Sequence, residues 1–128
     1  MIYSRTAEHV ISALIALGAA PKGERLRVKD IAEQQGIPPM FLAKLLQDLA
    51  RKTDVIGSEK GPNGGFLLLR PAKDIPMILI VAAVDGGLRW PRHVPRRLRE
   101  DVERYLAKTS IADLIAAQRR DQKRLSAQ

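Results

Sequence analysis

The first segment of the chain places its apolar residues with the period of an α-helix. Over residues 7–15 they fall at positions i, i+3, i+4, i+7 and i+8, which puts them on one helix face. Ser4 is a suitable N-cap and Gly18 a suitable terminator, so the pattern predicts a helix between them. A loop of sequence GAAPKGERL is expected to follow.

A second helical pattern, residues 27–52, contains a short helix, a turn and a longer helix. Gly36 ends the short helix, and Pro38-Pro39 opens the longer one, where a missing N–H is tolerated because first-turn donors are unpaired anyway. The buried face of the longer helix is predicted to consist of leucines: Leu42, Leu45, Leu46 and Leu49. This order is typical of a helix-turn-helix, although two amphipathic helices joined by a glycine turn also occur in many other helical proteins.

The outer face of the longer helix carries no acidic residue. On a helical wheel, the stripe opposite the leucines consists of Met40, Lys44, Gln47 and Arg51. One apolar tip, one amide and two cations suit a helix lying in a DNA major groove. An ordinary solvated helix face would have a similar composition, and the stripe alone does not separate the two interpretations.

Residues 54–58 and 65–71 have the composition of two short strands with a glycine-rich segment between them. A nucleotide-binding P-loop is disfavoured, because no Gly-Lys-Ser/Thr sequence leads into a helix here. Asn63-Gly64 instead predicts a hairpin turn, and a hairpin directly after a helix-turn-helix is a wing. Its bare glycine backbone and Lys60 can approach a DNA phosphate or minor groove closely. For Gly61 and Gly65, a tight turn without any ligand is the alternative.

Three further helices are predicted in the second half of the chain. Residues 74–87 are almost continuously apolar, as a buried strand or a buried helix would be, and the flanking Asp74 and Gly86 favour a helix. After a connector at 88–94, residues 95–109 predict a helix with one apolar face: Leu98, Val102, Tyr105 and Leu106. Residues 110–118 predict a last short helix, and the polar tail beyond it is expected to fray.

The net charge of the chain indicates what kind of partner it binds. The 128 residues suffice for one domain. The chain has 22 Lys and Arg and 14 Asp and Glu, so its formal net charge is 22 − 14 = +8. Such an excess suggests a polyanionic partner, usually nucleic acid, although solvated surface charge is a simpler alternative.

Composition also excludes several classes of site. The absence of cysteine excludes disulfides, thiolate zinc sites and cysteine-ligated iron–sulfur clusters. Paired carboxylates, a Ser-His-Asp order and an HExxH motif are all missing, so no enzyme is expected. The N-terminus lacks a long apolar signal segment, and no apolar run is long enough to span a bilayer, so a cytoplasmic protein is expected.

The order of these segments resembles the Rrf-two (BadM-type) family of bacterial winged-helix transcription regulators. The resemblance rests on DIAEQQGIPPMFLAKLLQDL, GSEKGPNGGFLLLRPAKDI, VAAVDGG and TSIADLI, and it covers nearly the whole chain. It implies a mainly α fold with a small β-hairpin, in which residues 1–87 form a winged helix-turn-helix domain and residues 88–128 a dimerisation helix and C-terminal tail. Within the first domain, the helix-turn-helix is expected at about residues 28–51 and the wing at about residues 55–70. It also implies a homodimeric, sequence-specific regulator of double-stranded DNA, most simply a repressor, with its third helix in a major groove and its wing at the adjacent minor groove.

The resemblance implies site residues by position. Base contacts are expected from Pro39, Met40, Lys44 and Gln47. Phosphate and wing contacts are expected from Arg5, Arg51, Ser58, Lys60, Gly61, Asn63 and Gly64. The dimer interface is expected at Leu98, Val102, Tyr105 and Leu106, a face that would otherwise pack on the chain's own core.

The chain departs from the family pattern at several positions. Cluster-binding members carry three cysteines before the long helix, and this chain has none, so no metal, cluster or other cofactor is expected. Position 43 is Ala, where members often carry a longer polar residue. Lys60 stands where arginine is common in the wing, and Lys29 where a Ser or Thr cap is usual. The first difference implies another preferred base sequence. Lys60 implies contact with the DNA backbone and not bidentate base contact, because lysine is a point charge. Lys29 implies a weaker start of the second helix. The alternative function is a winged-helix protein-interaction module with only non-specific DNA affinity.

Overall fold

The computed structural model describes residues 2–21, 24–61 and 64–127. Within these ranges the chain forms six α-helices, a two-stranded antiparallel hairpin and one 3-10 turn. Their order is α1 (Arg5–Ala19), α2 (Val28–Gln35), α3 (Pro39–Lys52), β1 (Ile56–Glu59), β2 (Gly65–Leu68), the 3-10 turn (Ala72–Asp74), α4 (Met77–Asp85), α5 (Arg96–Lys108) and α6 (Ile111–Ser126). The predicted mainly α fold with a small hairpin is confirmed, and none of the described helices is long and apolar enough to cross a membrane.

Helix α1 begins where the sequence predicts but ends later. The Oγ of Ser4 accepts a hydrogen bond from the N–H of Ala7 at 3.0 Å, which is an N-cap. The predicted stop at Gly18 is wrong, because the helix continues to Ala19. Gly18 lies instead against α6, where an added Cβ would come within 2.8 Å of Ile115 Cδ1. The glycine therefore permits close packing of two helices.

The turn of the helix-turn-helix lies at Gly36, where the sequence predicts it, and α3 ends at Lys52. Gly36 adopts the left-handed conformation (φ 69°), and its N–H closes the end of α2 on the carbonyl groups of Ala32 and Glu33. Pro38 is the N-cap of α3 and Pro39 its first residue. The two helices pack on each other and on α1.

The core lies around α1, α3 and α4. Leu14 of α1, Leu46 of α3 and Ile80 of α4 are fully buried in one cluster. Leu42 and Leu49 are buried as predicted, whereas Leu45 is only partly buried against the same cluster.

The continuously apolar segment forms helix α4, as predicted. It ends at Gly86 (φ 78°). The predicted cap at Asp74 is wrong, because this residue closes the 3-10 turn and Pro76 precedes the helix.

Helix α6 is much longer than the sequence pattern predicts. The segment expected to fray is helical as far as Ser126. A capping box starts the helix: Ser110 Oγ accepts from the N–H of Asp113, and the Asp113 carboxylate accepts from the N–H of Ser110. Residues 118–127 are all exposed. Hydrophobic periodicity does not predict the second half of α6, because none of the side chains there is buried.

Candidate nucleic-acid interface

Helix α3 presents one buried and one exposed face. Its leucines fill the core, whereas Met40 is 86% exposed and Lys44, Gln47 and Arg51 are exposed as well. At 3.6 residues per turn, these four side chains lie within about 60° of one another around the helix axis. Pro39 is also exposed, in the first turn of the helix and beside this stripe. The structure therefore brings three of the predicted base-contact residues together with Arg51, a predicted phosphate contact, on one accessible surface. We call this surface the α3 stripe (Met40, Lys44, Gln47 and Arg51).

Not every cation of the α3 stripe is free. Arg51 forms an ion pair with Asp48, one turn earlier at the edge of the stripe. A surface pair of this kind contributes only about 0.3–0.5 kcal/mol, so a DNA phosphate can compete with Asp48 for the guanidinium. Lys44 forms no ion pair among the described residues. It is therefore the cation of the stripe that is available without rearrangement.

The predicted hairpin is present, with a longer loop than Asn-Gly turns usually have. Ile56 lies opposite Leu68 and Glu59 opposite Gly65, so the connection comprises residues 60–64. Ser58, Lys60 and Gly61 are exposed, as phosphate contacts require. Gly61 adopts a φ of 108°, a conformation that side chains disfavour.

The predictions for the two remaining loop residues, Asn63 and Gly64, have different outcomes. Gly64 is only half-exposed, and a Cβ there would lie 2.3 Å from the carbonyl oxygen of Glu59, so its close approach is to the chain's own backbone. Asn63 lies outside the described residues, and the prediction for it has no structural counterpart.

The wing is anchored by a segment that the sequence pattern left as a loop. Leu26 and Phe66 exchange two backbone hydrogen bonds, both 2.9 Å long, and form an antiparallel bridge. Gly65 makes this approach possible, since a Cβ there would lie 2.3 Å from the carbonyl oxygen of Leu26. Arg25 adds an ion pair with Glu59 on β1. A single bridge has no alternating pattern long enough to be recognised, so it could not be predicted from the order of residues.

The remaining predicted phosphate contact, Arg5, is exposed at the first position of α1, outside both α3 and the wing. Helix α1 packs on α3, so the two elements are fixed relative to each other.

The predicted dimer face of α5 divides into two parts. Leu98 and Tyr105 are 51% and 69% exposed, and Val102 is partly buried. Leu106 is 6% exposed and belongs to the core of the chain, so it is not available to a partner. The helical wheel could not separate these residues because both sets fall near one another on the same amphipathic helix.

Comparisons with known proteins agree on one family. The profile of the Rrf2 family, described as iron-dependent transcriptional regulators, matches residues 3–96. A protein of Mycobacterium tuberculosis named as an HTH-type transcriptional regulator is 30% identical over 131 aligned residues, which cover 89% of this chain and 81% of the relative. The HTH-type regulator IscR of Pectobacterium atrosepticum is 29% identical over 106 residues, covering 83% of this chain and 64% of IscR.

Solved structures show the same fold. CymR, the global cysteine regulator of Bacillus subtilis, superposes with a TM-score of 0.79 at 19% identity, over 91% of this chain and 98% of CymR. IscR of T. potens superposes with a TM-score of 0.75 at 24% identity, over 92% of this chain and 88% of IscR. At these identities the likeness concerns the fold alone.

The iron in the family description does not fit the donor set of this chain. The sequence has no cysteine, and the described residues hold no group of three or more His, Asp or Glu side chains placed to bind a metal ion. His93 lies in the connector before α5 and His9 on α1, where its ring meets Phe41 edge to face.

Proposed function

The chain belongs to the Rrf2 family of DNA-binding transcriptional regulators, and on that premise we propose that it is a homodimeric repressor whose α3 stripe reads the operator. The observation that carries the proposal is the stripe itself. It is exposed, free of acidic side chains and held rigidly by the buried leucines on the opposite face of the same helix. A net charge of +8 adds long-range attraction to DNA.

Each base contact follows from the chemistry of one side chain. Lys44 can donate to the O6 and N7 atoms of guanine, and the Gln47 amide can pair with N6 and N7 of adenine. Met40 offers an apolar tip to a thymine methyl group, with Pro39 beside it at the start of the helix. A well-placed contact of this kind is worth about 1–3 kcal/mol against the wrong base.

Phosphate contacts hold the helix in the groove. Arg51 reaches the backbone once a phosphate replaces Asp48, and Arg5 adds a cation from α1. The wing contributes Ser58, Lys60 and the backbone from Gly61 to Gly64, including Asn63. The Leu26–Phe66 bridge fixes β2, so the strands of the wing meet the DNA without a further ordering cost.

Dimerisation is proposed through α5, in the part of the chain from residue 88 onward. Leu98 and Tyr105 are large apolar side chains left exposed on one helix, with the half-buried Val102 between them. Pairing of this helix with its symmetry mate buries all three in a two-fold interface. Two α3 helices related by a two-fold axis recognise an inverted repeat, so the operator is expected to be one.

Repression follows when such a dimer occupies a promoter in the cytoplasm, where the bacterial genome lies. An in vitro transcription assay tests it on a template whose selected operator overlaps the promoter. Addition of the protein is expected to reduce transcript from this template and to leave a template with a scrambled operator unchanged. Increased transcript would show an activator, and equal effects on both templates would contradict regulation through a specific operator.

A further inference from the structure

His9 lies on α1 at the edge that borders α3. Its ring meets the ring of Phe41 at a centroid separation of 6.4 Å and an interplanar angle of 87°, which is an edge-to-face contact. His9 is partly exposed and Phe41 is 44% exposed, so the pair lies at the surface. Within the described residues, neither ring nitrogen of His9 has a hydrogen bond or an ion pair. The imidazole thus packs on Phe41 while its nitrogens stay free to bind a ligand.

Phe41 connects this pair to the α3 stripe. It follows Met40 in the chain and lies about 60° from Lys44 around the helix axis, on the side toward α1. Further along the same contact between the helices, Thr6 of α1 and Leu45 of α3 line one small cavity. The exposed edge of α1 and the α3 stripe therefore form one continuous surface.

The charges around His9 favour an anion on this surface. Arg5 precedes His9 by four residues, so the two side chains lie about 40° apart on one exposed strip of α1. The remaining charged or titratable side chains lie beside His9 in the wall of one cavity or within two turns of Phe41 on α3: Tyr3, Glu8, Lys44 and Asp48. Asp48 is already paired with Arg51, and Glu8 lies about 100° around α1 from His9, on the side away from α3. An anion that approaches between α1 and α3 therefore meets cations before it meets a free carboxylate.

We propose that His9 is a further contact of this protein to the phosphate backbone of DNA, and that protonation of the imidazole strengthens the contact. The proposal rests on the proposed function, in which the α3 stripe reads bases and Arg5 binds a phosphate. A protonated imidazole donates from both ring nitrogens and carries a positive charge, whereas a neutral imidazole donates from one nitrogen only. Histidine is the side chain whose charge ordinarily changes between pH 5 and 8. The affinity for DNA is therefore expected to rise as the pH falls through this range.

Fluorescence anisotropy of the full chain at about pH 5.5 and about pH 8 tests the contact, with a selected operator and with a scrambled duplex of the same length. The wild type is expected to bind both duplexes about tenfold more tightly at the lower pH, because a charge-assisted hydrogen bond to phosphate is gained. The log–log dependence of affinity on salt should steepen by about 0.9 at the same time. A phosphate contact carries no sequence information, so the preference for the operator over the scrambled duplex should not change with pH.

Three variants separate the charge of His9 from its packing. His9→Gln cannot be protonated, so it is expected to stay within about twofold of the wild-type affinity at the higher pH and to lose the gain at the lower pH. His9→Arg carries a permanent cation and is expected to bind tightly at both pH values. His93→Gln is the matched control, because it removes the other histidine, which is exposed in the connector before α5, and it should keep the full pH response. Circular dichroism at each pH establishes that the variants are folded.

The results that would overturn the proposal differ from those that would contradict the proposed function. A pH response that persists in His9→Gln, or a wild-type affinity that is equal at both pH values, would overturn the contact by His9. An equal loss of affinity at both pH values in His9→Gln and His9→Arg would show that the ring only packs on Phe41. If no operator can be selected, the proposed function fails, whereas the pH response on the scrambled duplex still decides whether His9 binds phosphate.

Discussion

The substitution Gly65→Ala tests whether the wing depends on its contact with the segment before α2. A Cβ at this position would lie 2.3 Å from the carbonyl oxygen and 2.8 Å from the carbonyl carbon of Leu26. Both atoms belong to the backbone, so no side-chain rotation relieves the clash. The Leu26–Phe66 bridge must therefore open, and its two hydrogen bonds are lost.

The size of the effect follows from these two bonds. Each backbone hydrogen bond contributes a net ~1 kcal/mol, so their loss costs ~2 kcal/mol. Replacing glycine by alanine restricts the unfolded chain and returns ~0.4–1 kcal/mol. The free energy of unfolding is thus expected to fall by about 1–2 kcal/mol. Operator affinity is expected to fall about tenfold, and the salt dependence to weaken by about 0.9 in log–log slope for each phosphate contact that the wing loses.

Gly57→Ala is the matched control in the same hairpin. The three atoms nearest to its Cβ would all belong to the side chain of Leu69, the closest at 3.1 Å, and this side chain is 58% exposed and can rotate away. Urea denaturation and fluorescence anisotropy with a labelled operator at several salt concentrations measure both variants. Gly57→Ala should stay within about 0.5 kcal/mol of the wild type in stability.

Equal behaviour of the two variants would refute the reasoning. If Gly65→Ala keeps the stability and salt slope of Gly57→Ala, the bridge does not hold the wing. If both lose operator affinity equally, the hairpin responds to any added methyl group and not to the backbone approach at Leu26.

Three further predictions concern other parts of the molecule. Lys44→Ala should lower the preference for the operator over a scrambled duplex by roughly 1–3 kcal/mol in a competition assay. Arg119→Ala, which removes an exposed cation in the middle of α6, should leave the preference unchanged. Asp85→Ala removes the carboxylate that accepts hydrogen bonds from the N–H and the Oγ–H of Ser4, at 2.8 and 2.5 Å. Urea denaturation should therefore show a free energy of unfolding lower by about 1–3 kcal/mol, and an unchanged midpoint would mean that this contact does not hold α1 to α4. Tyr105→Asp should shift the sedimentation coefficient at micromolar concentration from dimer to monomer, and persistence of the dimer would place the interface elsewhere.

Local patterns were enough to predict most of the elements. The leucine face of α3, the left-handed Gly36 and the apolar segment of α4 are set by residues close to one another in sequence. Such signals depend on helix periodicity and on glycine conformation, which act over a few residues. The exposed positions of the α3 stripe follow from the same periodicity, because the faces of an amphipathic helix are fixed relative to each other.

Contacts between distant segments could not be predicted in this way. The bridge between Leu26 and Phe66 joins residues 40 positions apart by backbone atoms, which leave no trace in side-chain type. Gly18 has the composition of a helix stop, but its role is to accommodate Ile115 of α6. Leu106 and Tyr105 are neighbours on an amphipathic helix, and only the packing of α5 on α4 decides that Leu106 enters the core.

Selection of bound sequences from a pool of random duplex DNA, at about 150 mM salt, is the most direct test of operator recognition by the α3 stripe. The wild-type protein is expected to enrich an inverted repeat, and a Lys44→Ala, Gln47→Ala double variant is expected to lose the enrichment while remaining folded. No enrichment by the wild type, with an affinity that collapses as salt rises, would contradict sequence-specific recognition and leave an interaction module held to DNA by backbone charge alone.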